Sequence, residues 1–222
     1  MAKHIKKLPW ADLVVDGGAG TITVRQRWKY KWKLTKGDVT WKPTEWTVEE
    51  KEKFHIEAVK AIKAAWSGKR EFLAKGESAF AKAHEKTSFQ LLFDIIKSES
   101  QSHWSVEVTK IKPGKFKISR VRWISRKIEL DTEDMRLTLK KTITSPEKRY
   151  FQKGIAHEFG HAIGNTIVLE RGDEYGEDKP HSKDYGSIMN SGMILRDRHF
   201  RTIDEKLDDV IAGTEFVLKS SA

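Results

Sequence analysis

Thr21-Ile22-Thr23-Val24-Arg25-Gln26-Arg27-Trp28-Lys29-Tyr30-Lys31-Trp32-Lys33-Leu34 alternates with a period of two. Ile22, Val24, Gln26, Trp28, Tyr30, Trp32 and Leu34 fall on one face, and the Thr, Arg and Lys residues fall on the other. Side chains of a strand point alternately to its two sides, so a long strand with one aromatic-aliphatic face and one basic face is predicted. Residues 35–38 have turn composition, and Val39 and Trp41 are expected to return as a partner strand.

Outward from that strand the pattern changes period. Thr47-Val48-Glu49-Glu50 matches a capping box, and Phe54, Ala58, Ala61, Ile62 and Ala65 follow at helical spacing, which predicts a helix over 47–67. Phe89 to Ile96 suits a buried strand or a short helix equally well. Trp104, Val106 and Val108 alternate, and Pro113-Gly114 marks a turn. Phe116, Ile118, Val121 and Trp123 then continue as a strand, with a phase slip at Arg120 that reads as a bulge. Ile128 and Leu130, then Leu137 and Leu139, suggest further strands. Residues 147–164 are expected to be helical, and a last helix over 202–212 should turn Ile203, Leu207, Val210 and Ile211 inward. The expected fold is α+β. A twisted, mostly antiparallel sheet packs on a helix, with a β-rich part over 1–145 and a smaller C-terminal part over 146–222, the two forming one compact unit.

Composition narrows the class. The 222 residues carry 42 Lys+Arg against 32 Asp+Glu, a formal charge of +10, with 8 Trp and 10 Phe. A chain that aromatic can build a core and is not disordered. No stretch approaches the roughly 18 apolar residues of a membrane span. Cysteine is absent, which excludes disulfides, thiol nucleophiles and thiolate metal sites. Residues 10–15 are too short for a signal-peptide core, so a protein made in the cytoplasm without an ordinary secretion signal is expected.

His157-Glu158-Phe159-Gly160-His161 carries the chemistry. Histidines four apart lie one helical turn above each other, so both imidazoles reach one metal ion. Glu158 points near the same side, where it can take a proton from water without being a ligand. With 8 His and 32 acidic residues in the chain, chance supplies roughly 0.04 such motifs. A pair of surface histidines is therefore the weaker explanation. Phe151, Ile155, Phe159 and Ala162 supply a helix to hold the motif, and Gly164 can end it. A catalytic zinc site needs three protein ligands and an open position, so the third ligand lies downstream.

His157 to Gly164, Asp173-Glu174-Tyr175-Gly176 and Ser187-Ile188-Met189-Asn190-Ser191-Gly192 resemble a metzincin-type bacterial zinc metallopeptidase, including toxin and effector domains. The similarity covers about residues 150–200, with Trp66-Ser67-Gly68 a weaker upstream echo. It implies one catalytic Zn2+, a Met-turn at Met189 beneath it in the C-terminal subdomain, Glu158 as general base, and a protein or peptide substrate. It also implies an immunity or inhibitor protein as partner and export by a specialised secretion system. One departure stands out. The usual third-ligand position is Ile167, which cannot bind zinc, and an insertion over 165–172 shifts the acidic ligand to Asp173. Glu174, His181, His199 and Glu205 remain as alternatives. His199 is expected either to polarise a substrate carbonyl or to sit on the surface.

Arg25, Arg27, Lys29, Lys31 and Lys33 form a basic ribbon beside Trp28, Tyr30 and Trp32. Nucleic acid, an acidic protein partner or an anionic surface would fit it, as would an ordinary solvated strand face. A non-catalytic basic interaction module, or a nucleic-acid binder, is thus the alternative to an enzyme. No recognised nucleic-acid motif is present.

Overall fold

The computed structural model describes residues 3–36 and 41–219. The strands in chain order are β1 (Lys3–Lys7), β2 (Asp12–Asp16), β3 (Thr21–Leu34), β4 (Glu71–Lys75), β5 (Ser88–Lys97), β6 (Trp104–Lys110), β7 (Arg120–Arg122), β8 (Lys127–Asp131), β9 (Leu137–Thr144), β10 (Glu147–Lys153) and β11 (Glu215–Leu218). The helices are α1 (Val48–Trp66), α2 (Ala79–Ala83), α3 (Gly154–Ala162) and α4 (Arg201–Leu207).

β3 organises the molecule as its alternation predicts. Ile22, Val24, Gln26 and Trp28 are buried, and the strand is long enough to serve several neighbours at once. It pairs antiparallel with β2, and parallel with β5 through 21–28 and with β6 through 28–34. The nine-stranded sheet runs β11-β4-β5-β3-β6-β8-β7, with β2 and β1 joined to β3. Its centre is parallel and its margins are antiparallel, so the fold is α+β with a mixed sheet.

α1 begins as the capping box requires. Thr47 Oγ1 accepts from Glu50 N at 3.2 Å, and Thr47 N donates to the Glu50 carboxylate at 2.9 Å. Its apolar stripe, Phe54, Ala58, Ala61, Ile62 and Trp66, is buried in one core that runs from Trp10 to Phe216. Residues 88–97 settle as a strand, because burial alternates along them. β1 and β2 were not anticipated from the sequence.

Several expectations are corrected. Residues 147–153 form β10, an antiparallel partner of β9, and the helix starts only at Gly154. Pairing with β9 outweighs the helical spacing of Phe151 and Ile155, and Gln152 is buried while Phe151 is exposed. The expected strand through Phe116 and Ile118 is confined to Arg120–Arg122, since both apolar residues lie in solvent. The last helix stops at Leu207, although Ile203, Leu207 and Ile211 are buried as expected. Trp41 is not in a strand, and Val39 lies outside the described residues. Among the described residues, no helix is long and apolar enough to cross a membrane.

Candidate metal centre

α3 is held from both ends by side chains whose role is invisible in the sequence. Gln26, fully buried on the apolar face of β3, donates to Ala162 O at 2.8 Å, and Trp66 Nε1 donates to Ala156 O at 2.9 Å. The first bond satisfies a last-turn carbonyl that has no partner within the helix, and the second fixes the indole against the first turn. At its start, Ile155 N donates to Asp134 O at 3.1 Å. Burial and the nearby Asp131 push the Asp134 carboxyl up to about 7. Gly164 follows with a φ of +110°, and Thr202 packs where a Cβ would stand, so the chain turns there only as glycine.

His157 and His161 lie one turn apart, with Nε2 atoms 3.2 Å from each other. The fixed partner of each ring decides its tautomer. His157 Nδ1 faces Ile188 O at 2.8 Å, and His161 Nδ1 faces Asn165 O at 2.5 Å. A carbonyl only accepts, so each Nδ1 carries a proton, and in the neutral imidazole the Nε2 lone pair points inward. Asp173 Oδ1 lies 3.1 Å from both Nε2 atoms and has no hydrogen-bond partner. These residues form a group that could hold a metal ion.

Three converging lone pairs call for a cation. A tetrahedral site with bonds of about 2.0–2.1 Å has edges of about 3.3–3.4 Å, near the spacing seen here. The donor set, two imidazoles and one carboxylate, suits zinc. The electrostatics agree. Burial would raise the Asp173 carboxyl, yet the facing histidines hold it well below the usual carboxylate range. Burial would lower His161, but Asp173 and Glu158 raise it, so the cluster favours positive charge at its centre.

Glu158 is buried beside this group, and its Oε2 has no hydrogen-bond partner. Burial raises its proton affinity, opposed by His157 and His161. Tyr175 stands half-exposed against His157, with ring centroids 6.2 Å apart.

Below the helix, Met189 is fully buried, and a Cβ on Gly160 would overlap its Sδ. Gln152 Nε2 donates to the carbonyls of Ile188, Asn190 and Gly192, and so clamps the turn around Met189. Glu174 N donates to Met189 O at 2.9 Å, which ties the Asp173 segment to the same turn.

The alternative ligands are occupied or distant. The Glu174 carboxylate accepts from Arg198 Nε and Nη2 at 2.6 and 2.8 Å. His199 is neither on the surface nor available to a substrate carbonyl. It is buried, with Nε2 3.1 Å from Ser187 Oγ and 3.3 Å from Glu174, while its Nδ1 accepts from Arg196 N. His181 is exposed, Glu205 pairs with Arg171 and Arg201, and Ile167 is exposed in a 3-10 turn. Sequence reasoning missed the second layer of Asn165, Gln152 and Arg198. For Gln26, an amide in the apolar phase of β3 was the available signal.

No family model matches this chain, and neither a curated protein nor a solved structure does. Its chemistry is therefore read from the site's geometry.

Proposed function

We propose that this chain is a zinc-dependent metallopeptidase, with His157, His161 and Asp173 holding one zinc ion and Glu158 as general base. The observation that carries the reading is the convergence of two Nε2 atoms and Asp173 Oδ1 beside the buried, unpartnered Oε2 of Glu158. Bound zinc supplies a Lewis acid that polarises a carbonyl and makes a water more acidic. Glu158 accepts the proton of the attacking water and hands it to the leaving amine as the C–N bond breaks. Its raised proton affinity suits both halves of that shuttle. Asn165 O and Ile188 O keep the histidine lone pairs aimed at the ion. Met189 supports α3 from beneath, as a Met-turn would. The resemblance to toxin and effector domains extends the proposal to an exported enzyme with a protein substrate and an immunity partner.

Pairing on the basic face of β3 favours an enzyme over a nucleic-acid binder. Arg25 pairs with Asp94, Arg27 with Asp12 and Lys33 with Glu107, while Trp28 lies in the core.

Elemental analysis of protein purified without chelators tests the site. Wild type should carry one zinc per chain, and His157→Ala and Asp173→Ala should lose it. Glu158→Gln should keep the metal while peptide hydrolysis falls by at least about 100-fold. A wild-type chain that binds no zinc, or hydrolysis that survives Glu158→Gln, would sink the proposal.

A further inference from the structure

The hairpin of β9 and β10 stands apart from the main sheet and leads straight into α3. It carries Lys140, Lys141, Lys148, Arg149 and Lys153 against a single carboxylate, Glu147, which pairs with Arg149. Other lysines of this chain, such as Lys6, Lys97, Lys110 and Lys127, rest on carboxylates. Lys140, Lys141 and Lys148 have none within ion-pair distance among the described residues. They lie instead over the rings of Phe116, Tyr185 and Tyr150 at 5.3, 5.3 and 5.6 Å.

Two further features place this charge at the candidate site and give it a partner. β10 ends at Lys153 and α3 begins at Gly154, so the hairpin adjoins the helix that carries His157, Glu158 and His161. Leu137, Leu139 and Phe151 are exposed between the cations, and the hairpin's outer edges pair with no other strand among the described residues. Apolar side chains and free main-chain groups suit an extended polypeptide rather than a small anion or a nucleic-acid backbone. The unmatched ammonium groups select its charge.

We propose that the β9–β10 hairpin docks acidic stretches of polypeptide, so that the preferred substrate carries Asp or Glu side chains near the cleaved bond. This substrate class rests on the metallopeptidase reading, but the docking is measurable without turnover.

The experiment uses the full chain with Glu158→Gln and fluorescent twelve-residue peptides, one rich in Asp and Glu and one its Asn/Gln counterpart. Anisotropy should show the acidic peptide binding about tenfold more tightly at low salt, a preference that shrinks as salt is raised. Lys140→Glu/Lys141→Glu should abolish the preference, and Lys140→Gln/Lys141→Gln should reduce it. Lys60→Glu/Lys86→Glu, the same change of net charge on other exposed residues, should leave it intact. Equal binding of the two peptides, or equal effects of the two Lys→Glu pairs, would overturn the docking site. So would an oligothymidylate that binds the hairpin as tightly as the acidic peptide does. Selective binding by a chain that takes up no zinc would keep the docking surface and sink the catalytic reading instead. Zinc-dependent cleavage without charge preference would do the reverse.

Discussion

Asp173 and Glu174 are chain neighbours with opposite surroundings. The backbone and carboxylate of Glu174 are bonded inward, to Met189 and Arg198, which turns Asp173 towards the histidines. Glu174→Ala leaves His199 without its carboxylate and Arg198 with Asp184 as its remaining partner, and should cost about 1–3 kcal/mol in chelator-treated protein. Asp173→Ala should cost less in a urea titration of the same protein, because its side chain is a third exposed and its Oδ1 has no hydrogen-bond partner, yet it should lose zinc. Equal destabilisation by the two changes would mean that Asp173 is a structural residue. Met189→Leu conserves volume and should cost under about 1.5 kcal/mol while zinc is retained.

α3 and its neighbours work by close approach. Gly160 faces Met189 Sδ and the Trp66 ring where a side chain would project, so Gly160→Ala forces one of them to shift. Thermal or urea unfolding should show a loss of about 1–3 kcal/mol, and the metal site above should weaken with it. A neutral outcome would show that the Met189 turn is free to move. At the sheet margin, burial alone would raise Glu129, but Lys127 and Arg120 bring it down to about 2 from the ordinary 4.5. A depressed carboxyl gives stability that is present above 4.5 and is lost as pH falls toward 2. Arg120 is half-exposed, so the contribution is only roughly 1 kcal/mol after screening. Glu129→Gln should flatten the acid limb of the stability profile in that window and leave neutral pH little altered apart from this loss.

The proposed metal would link two segments of the C-terminal part. His157 and His161 sit on α3 and Asp173 on a separate loop, so an ion held by all three resists unfolding of either. Removing zinc with a chelator should lower the melting temperature by about 5–10 °C, and added zinc should restore it. His157→Ala should melt at the same temperature with and without chelator. A chelator effect that persists in that variant would place the bound metal elsewhere.

β3, α1 and the histidine pair were legible because each is decided within a few residues. Alternation, a capping box and a one-turn spacing are local geometry, and the surrounding fold agrees with them. The start of α3 was not legible, because residues 147–153 read as helix by periodicity and became β10 only through pairing with β9. Nor was the fate of Glu174 and His199, whose choice between ligand and scaffold depends on Arg198 and Ser187 arriving from later in the chain. The sequence by itself determined which residues can bind a metal and take a proton, since those are properties of side chains and short spacings. Only the tertiary structure decided which of them share one centre. Convergence of three lone pairs within 3.2 Å depends on the buried carbonyls of Asn165 and Ile188 and on long-range packing, which no local pattern encodes.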